Sequence, residues 1–268
     1  MSRTARRRVG FAALLLGLAV LYIICLLTAL HTVCTDDALY FREQTAANVL
    51  PSAGISEEDL RVLDSGLARY LAGEESALEE SSTEAGGILR VEVFGQTQPA
   101  FNEKEMTHMR DCYALFALLR KVRSRLIPWA VLLIAGGAYL LQDRRRVRLS
   151  AWLSPLVLLL PLGAFALWAA LDFNAAFNFF HRLLFTNDLW LLDPRTDLLI
   201  RVCPQSMFMH MGLRIAGFTA LALFGVPAVV VAITFIWPRG KEENTWNNRT
   251  IRRGSAQKRI DFGRPGTR

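Results

Sequence analysis

The chain has 268 residues and a formal net charge of +7, and 52% of its residues are hydrophobic. The apolar residues are concentrated in a few long runs, and the segments between these runs are richly charged. This uneven distribution is typical of a polytopic membrane protein and excludes an estimate of domain number from chain length alone.

Four apolar runs predict four transmembrane helices, so we expect a mainly α-helical membrane protein. The first run, from Gly10 to Leu30, has no charged residue and spans about 31 Å at a helical rise of roughly 1.5 Å per residue, enough for the hydrocarbon core. The predicted membrane segments are residues 1–31 (with the N-terminus), 126–141, 149–171 and 210–237. A cleavable signal peptide is the alternative for the first run, but its apolar length and the lack of a small-residue cleavage site favour a retained anchor.

Basic residues predict the orientation of these helices. Arg and Lys cluster before the first helix, in the turn at residues 142–148, and in the tail at residues 238–268. All three clusters fall on one side of a four-helix protein, so we expect both termini to be cytoplasmic. The cap segment (residues 32–125) and the insert (residues 172–209) are then extracellular. The tail has little apolar periodicity, which favours a disordered segment near anionic lipid over nucleic-acid binding.

The cap segment is predicted to be a small α+β unit. Ser56 opens a helix with leucines at helical spacing, and Gly73 is the expected end of that helix. Residues 89–95 alternate between apolar and charged side chains, which indicates a short half-buried strand. Asn102 with Glu105 is a second capping signal, and it opens a helix that runs toward the second membrane segment.

Three of the four cysteines, Cys34, Cys112 and Cys203, lie in segments that we expect to be extracellular. An oxidising exterior permits one disulfide among them. The sequence leaves the pairing open.

The chain has four histidines, each near a predicted membrane boundary: His31, His108, His181 and His210. Histidine titrates near neutral pH and is the commonest general acid or base. His31 and His210 fit the pattern of interfacial polar residues. His108 and His181 have carboxylates within a turn or two and aromatic neighbours, so we interpret them as a catalytic pair. Asp111 is the expected orienting carboxylate for His108, and Asp188 for His181.

The insert is predicted to begin as an interfacial helix, because aromatic and leucine residues from Phe173 to Leu184 recur at helical spacing. Turn signals follow at Asn187 and Asp193. Aromatic residues are common at membrane interfaces, so the prediction of a site rests on the whole spacing from His181 to Pro204. The expected orienting or pocket residues, besides Asp111, are Phe177, Phe180, Asn187, Asp188, Trp190, Asp193 and Asp197.

Two blocks carry a resemblance to a known family. FNEKEMTHMRD (residues 101–111) and FNFFHRLLFTNDLWLLDPRTDLLIRVCP (residues 177–204) resemble the bacterial integral membrane family that contains the lipoprotein intramolecular transacylase. The resemblance implies four transmembrane helices with an extracellular cap. The family's two catalytic histidines, in its HM-x-D and F-x-x-x-H motifs, match His108 and His181. Cys112 departs from the family pattern, where valine is expected.

The resemblance implies acyl migration within one substrate, from the sn-2 oxygen of a diacylglyceryl-cysteine to that cysteine's own α-amino group. A reference α-amine pKa of ~7.7–8.0 lets a neutral imidazole deprotonate the amine easily. One of His108 and His181 is the expected base, and the other protonates the leaving oxygen or stabilises the oxyanion; the sequence leaves this assignment open. The implied partners are a diacylglyceryl lipoprotein and membrane phospholipid. No cofactor and no nucleic acid are expected.

Two other classes of function remain open from the sequence. A metal-dependent membrane lipid hydrolase would use His108, Asp111, His181 and Asp188 as ligands. No H-E-x-x-H helix or paired C-x-x-C motif supports it. A non-enzymatic membrane sensor or partner protein would bind a ligand through the cap segment. Replacing either candidate histidine distinguishes a sensor from an enzyme, and a chelator distinguishes a metal enzyme.

Overall fold

The computed structural model describes residues 1–78 and 89–236 and consists mainly of α-helices. Its helices in chain order are α1 (Arg3–Cys34), α2 (Asp37–Ala46), α3 (Val49–Ala53), α4 (Glu57–Ala72), α5 (Glu103–Leu141), α6 (Arg144–Leu153), α7 (Leu156–Leu171), α8 (Phe173–Leu184), α9 (Leu198–Val202) and α10 (Gln205–Ile236). A 3₁₀ turn (Glu75–Leu78) follows α4, and the strands β1 (Arg90–Val93) and β2 (Gln96–Pro99) precede α5. The predicted basic tail, residues 238–268, lies outside the described residues.

Four helical segments of the described chain are long and apolar enough to cross a membrane: α1, α5, α6 together with α7, and α10. This number agrees with the sequence prediction. α5 has 39 residues, and its length of about 58 Å exceeds the ~30 Å thickness of the hydrocarbon core. The first turns of α5 therefore extend past its apolar part, residues 126–141, and carry His108 away from it.

The predicted third membrane segment, residues 149–171, is interrupted between α6 and α7 by Ser154 and Pro155. Proline has no N–H, so Pro155 cannot donate a helical hydrogen bond to the carbonyl of Ala151. The Ser154 hydroxyl donates to that carbonyl at 3.1 Å instead. Ser154 and Pro155 keep right-handed helical dihedral angles, so the interruption is local.

Glycine residues allow α1 and α5 to pack with their backbones close together. A Cβ atom added to Gly137 would lie 2.5 Å from the backbone nitrogen of Leu14, and one added to Gly17 would lie 2.9 Å from the backbone nitrogen of Ile134. Small residues at such crossings let membrane helices approach closely. This contact fixes α5, and with it the catalytic candidate His108, against α1.

The predicted elements of the cap segment are present. Ser56 caps α4 by accepting a hydrogen bond from the Asp59 N–H at 3.0 Å, and Gly73 ends the helix at φ 119°. The predicted strand is β1, which pairs antiparallel with β2. Asn102 and Glu105 form the reciprocal capping box at the start of α5. These signals are local in sequence, which is why the sequence predicts them.

The sequence does not predict α2 or α3. α2 buries Glu43 and Gln44 beside Leu39 and Tyr40, so it has no apolar stripe of helical period. Its polar side chains find partners elsewhere in the chain: Gln44 donates to Asp64 of α4 at 2.8 Å. Burial of this kind depends on tertiary contacts that periodicity cannot detect.

All four cysteines are free thiols. The disulfide that the sequence permits among Cys34, Cys112 and Cys203 is therefore not formed in this structure. Burial raises the pKa of the Cys112 thiol to about 12, so this thiol, one turn after His108, is protonated at neutral pH.

Candidate active site

Two histidines that are far apart in sequence meet in one place. His108 lies in the second turn of α5, and His181 lies in the last turn of α8. Their ring centroids are 6.3 Å apart, and their planes are inclined by 38°. The two residues that the sequence indicates as a catalytic pair therefore share one site.

Aromatic side chains form the surroundings of this pair. Four ring centroids lie near that of His181: Phe177 at 4.0 Å, Trp190 at 4.9 Å, Phe180 at 5.7 Å and Phe185 at 5.8 Å. Phe185 also meets the His108 ring edge-on at 5.2 Å. Phe177, Phe180 and Trp190 are predicted pocket residues, and the structure brings all three to His181.

The tautomer of His181 follows from its hydrogen bond. Its Nδ1 lies 2.8 Å from the backbone carbonyl oxygen of Phe177. A carbonyl only accepts, so Nδ1 carries the proton and Nε2 of the neutral ring keeps a lone pair. Burial lowers the pKa of His181, and the bond to Phe177 opposes that change. The sequence predicts Asp188 as the orienting group; the structure gives that bond to the Phe177 carbonyl and leaves Asp188 exposed.

His108 is buried, with 8% of its surface exposed. Burial and, to a lesser extent, the nearby His181 lower the pKa of His108 to about 4, although the Asp111 charge opposes this change. Its Nε2 lies 3.6 Å from the Cys112 sulfur. Its Nδ1 is buried and has no hydrogen-bond partner among the described residues. At neutral pH His108 is therefore an uncharged ring with one nitrogen unused by the described chain.

Asp111 contacts the insert rather than His108. Its Oδ2 accepts a hydrogen bond from the Asn187 amide at 2.8 Å, and Asn187 Oδ1 accepts from the Leu189 N–H at 3.1 Å. The predicted hydrogen bond from the His108 ring to Asp111 is absent, and Asp111 instead accepts from Asn187, in the turn before Trp190. The Asp111 charge still raises the pKa of His108, so it acts on the histidine through space.

Asp193 and Asp197, both predicted as pocket or orienting residues, hold the insert in shape. Asp197 is 2% exposed and accepts hydrogen bonds from the Asn102 amide at 2.9 Å and from the Asp193 N–H at 2.8 Å. Lys104 lies 3.3 Å from Asp197. Asp193 binds Arg195 at 2.6 Å within the turn, and this guanidinium holds the pKa of Asp193 at about 2. Neither carboxylate contacts the two histidines.

A family model identifies the family of this chain. The family model described as "Lipoprotein intramolecular transacylase Lit" matches residues 15–208, which include both histidines. The chain belongs to the Lit family. This confirms the resemblance carried by the two sequence blocks, and it makes the protein a membrane acyltransferase of lipoprotein modification. No curated protein matches the chain.

Two solved structures of the membrane-integral lipoprotein intramolecular transacylase Lit from Bacillus cereus have a similar fold. One is 21% identical to this chain with a TM-score of 0.58, and the match covers 86% of this chain and 98% of that one. The other carries a histidine-to-arginine mutation and is also 21% identical with a TM-score of 0.58, covering 87% and 95%. The similarity supports a membrane-integral fold, and four helical segments of the described chain are long and apolar enough to cross a membrane.

Glu105 is a further residue that positions the site in this Lit family member. It is 1% exposed and accepts hydrogen bonds from the Asn102 N–H at 2.8 Å and from the Leu199 N–H at 2.6 Å. The sequence identifies Glu105 only as half of a capping box. Its second bond joins α5 to α9, and no signal in the sequence indicates that long-range partner.

The four candidate metal ligands do not come together as one ligand set in this Lit family member. Asp111 is bonded to Asn187, and Asp188 lies exposed. Within residues 1–78 and 89–236, no three His, Cys, Asp or Glu side chains converge as a ligand set. The geometry that is present, two neutral imidazoles beside aromatic rings, suits proton transfer.

Proposed function

We propose that this member of the Lit family moves the sn-2 acyl chain of a diacylglyceryl lipoprotein to the α-amino group of the lipoprotein's own N-terminal cysteine, which yields the lyso form. The observation that carries the proposal is the approach of the His108 and His181 rings to 6.3 Å within an aromatic enclosure. Family membership supplies the substrate class, and the two imidazoles supply the acid and base that the transfer needs.

His181 is the general base of the proposed reaction. Its Nδ1–H is held by the Phe177 carbonyl, so Nε2 is the nitrogen that accepts a proton. When Nε2 is protonated, the same carbonyl stabilises the imidazolium, since hydrogen bonding to the charged form favours it. A base fixed in this way takes the proton of the cysteine amine and later returns it to the leaving glyceryl oxygen.

His108 acts as a neutral hydrogen-bonding group. A pKa of about 4 keeps its ring uncharged at neutral pH, so it is a poor reservoir of protons. A neutral imidazole still donates one N–H, and we assign this N–H to the glyceryl oxygen as it leaves. Donation there stabilises the negative charge that develops when the ester bond breaks.

The aromatic enclosure favours transfer over hydrolysis. Phe177, Phe180 and Trp190 contact His181, and such walls exclude the water that would otherwise attack the ester. Because the amine and the ester belong to one molecule, the enclosure has only to fold the head group into a reactive ring. Well-placed intramolecular partners reach effective concentrations of ~10⁵ M or more.

The proposed site faces the extracellular side of a bacterial cell membrane. The basic N-terminus, the turn at residues 142–148 and the basic tail are then cytoplasmic, in accord with the distribution of Arg and Lys. The cap segment and the insert lie together on the opposite side, next to the outer leaflet. A diacylglyceryl lipoprotein presents its head group at that surface.

The purified protein in liposomes, with a synthetic diacylglyceryl lipopeptide, tests this function. Mass spectrometry of the wild-type product is expected to locate one acyl chain on the cysteine nitrogen. His181→Ala and His108→Ala are expected to lower the rate by at least ~10²-fold, the usual contribution of general acid–base groups. His31→Ala is the matched control and is expected to keep the wild-type rate.

Three other outcomes would contradict the proposed reaction or its mechanism. An acyl chain that stays on glycerol with the wild-type protein would contradict the transfer. Free fatty acid that disappears on addition of a chelator would indicate a metal-dependent hydrolase. Wild-type activity in both catalytic-pair variants would remove the histidines from the mechanism.

A further inference from the structure

The Trp190 indole N–H is a buried hydrogen-bond donor that the described chain does not use. Trp190 is 6% exposed, and its Nε1 has no hydrogen-bond partner within residues 1–78 and 89–236. An indole nitrogen can only donate, and buried tryptophans usually find an acceptor for it. A buried donor without an acceptor destabilises the fold, so an acceptor supplied by the substrate would give this N–H a use.

The unused N–H belongs to a ring that contacts the proposed base. The Trp190 and His181 centroids are 4.9 Å apart, with the rings inclined by 31°. His108 Nδ1 is a second buried nitrogen without a partner in the described chain, and its ring also lies next to His181. Trp190 Nε1 and His108 Nδ1, both without a hydrogen-bond partner, thus belong to rings next to His181, whose Nε2 accepts the proton in the proposed reaction.

Hydrogen bonds fix the backbone around Trp190 before any substrate binds, and burial against His181 holds the indole ring. The Asn187 side chain bridges Asp111 on α5 at 2.8 Å and the Leu189 N–H at 3.1 Å. The Trp190 carbonyl accepts from the Leu192 N–H at 3.0 Å. A donor that is already oriented requires no rearrangement when charge develops beside it, which is the basis of oxyanion-hole catalysis.

We propose that the Trp190 Nε1–H stabilises the oxyanion formed during acyl transfer. This role rests on the proposed function. The cysteine nitrogen adds to the ester carbonyl carbon, the C=O π electrons move to the carbonyl oxygen, and the amine proton passes to His181. Collapse of the oxyanion reforms the C=O bond and breaks the bond to the sn-2 glyceryl oxygen, which takes the proton back from His181. Trp190 donates to the carbonyl oxygen while it is negatively charged.

Trp190→Phe tests the proposal because it removes the N–H and keeps an aromatic ring. In liposomes with the diacylglyceryl lipopeptide, W190F is expected to lower kcat by roughly 10²–10³-fold, the usual effect of removing one oxyanion donor, with KM little changed. W168F is the matched control, since Trp168 also packs in an aromatic cluster, with Phe179 at 5.2 Å. It is expected to keep the wild-type kcat.

Two unreactive lipopeptides separate the donor role from a packing role. One carries an ether at sn-2 and the other a phosphonate, which is tetrahedral and anionic like the intermediate. W190F is expected to bind the ether as the wild type does and the phosphonate at least ~10-fold more weakly. Equal loss for both compounds, or a wild-type kcat in W190F, would overturn the donor role. A wild-type protein that forms no N-acyl product would instead refute the proposed function.

Discussion

The orientation of His181 comes from its own helix. The Phe177 carbonyl, one turn earlier in α8, lies 2.8 Å from Nδ1, so the ring is oriented wherever α8 is folded. His108 differs, because its Nδ1 has no partner in the described parts of the chain and its pKa depends on burial and on the nearby charges. Asp111 is one of those charges, and its contact with Asn187 fixes the segment that carries Trp190.

Asn187→Asp tests that contact. The change replaces an amide that donates to Asp111 at 2.8 Å with a second carboxylate, and two like charges at that distance repel. A hydrogen bond to a charged group contributes about 1.5–3 kcal/mol, so we expect acyl transfer to slow by roughly 10–100-fold. The measurement is the single-turnover rate in liposomes.

The exposed Asn178 of α8 provides the control for this substitution. Asn178→Asp makes the same chemical change away from Asp111 and is expected to keep the wild-type rate. Equal rates for the Asn187 and Asn178 variants would show that the tie to Asp111 does not position the site.

At the scale of the elements, a buried polar pair joins α2 to α4. Gln44 and Asp64 are 0% and 1% exposed, and the Gln44 amide donates to Asp64 Oδ1 at 2.8 Å. The other two oxygens, Gln44 Oε1 and Asp64 Oδ2, have no hydrogen-bond partner in the described residues. Burial raises the pKa of Asp64 to about 7. A protonated Asp64 carries no charge to desolvate and gains an O–H donor, which is why burial favours it.

This pair predicts a stability that falls as the pH rises. The pKa of Asp64 is about 7 in the folded state and ~3.9 in an unfolded chain. Between these two values the folded state binds more protons than the unfolded chain. The contribution of Asp64 to the free energy of unfolding is therefore full below pH ~4 and is lost as the pH rises through 7. We expect the thermal unfolding midpoint in detergent to be higher at pH 5 than at pH 8.

Asp64→Asn keeps the shape and removes the titration, so this part of the pH dependence is expected to disappear. Glu58→Gln, at an exposed position of α4, makes the same change from acid to amide and is the control, expected to keep the wild-type dependence. The same pH dependence in wild type and D64N would contradict the assignment to Asp64.

The contact between α1 and α5 predicts different effects at two adjacent glycines. A Cβ atom at Gly137 would lie 2.5 Å from the Leu14 backbone nitrogen, whereas one at Gly136 would meet nothing within 4 Å. Overpacking typically destabilises by about 1–3 kcal/mol, so Gly137→Ala is expected to lower the midpoint of thermal unfolding in detergent by several degrees. Gly136→Ala is expected to leave it unchanged or raise it, since alanine favours helix. Equal midpoints would contradict the close approach.

At the scale of the whole molecule, the site forms where the cap segment meets the insert. Two carboxylates near the start of α5 and in the insert make this junction: Glu105 accepts from the Leu199 N–H at 2.6 Å, and Asp197 accepts from the Asn102 amide at 2.9 Å. Both carboxylates are buried, at 1% and 2% exposure, where a hydrogen bond to a charged group is strong. These bonds set the distance between α5, with His108, and the insert, with His181.

Local signals in the sequence predict much of this fold. The apolar runs indicate the four long helices, and the capping residues Ser56 and Asn102 mark where α4 and α5 begin. The partners of the site residues are long-range contacts, and one sequence does not specify them. Asp111 is the example: the sequence predicts that it orients His108, whereas in the structure it accepts a hydrogen bond from Asn187.

The most direct test of the central claim follows one acyl chain within one molecule. A lipopeptide with a deuterated sn-2 acyl chain and a ¹⁵N-labelled cysteine is mixed with the unlabelled compound and the wild-type protein in liposomes. Tandem mass spectrometry is expected to find the deuterated chain on ¹⁵N and the unlabelled chain on ¹⁴N, with neither product formed by His181→Ala. Deuterated chains on ¹⁴N, deuterated free fatty acid, or label that stays on glycerol would contradict transfer from the sn-2 oxygen to the same molecule's amine.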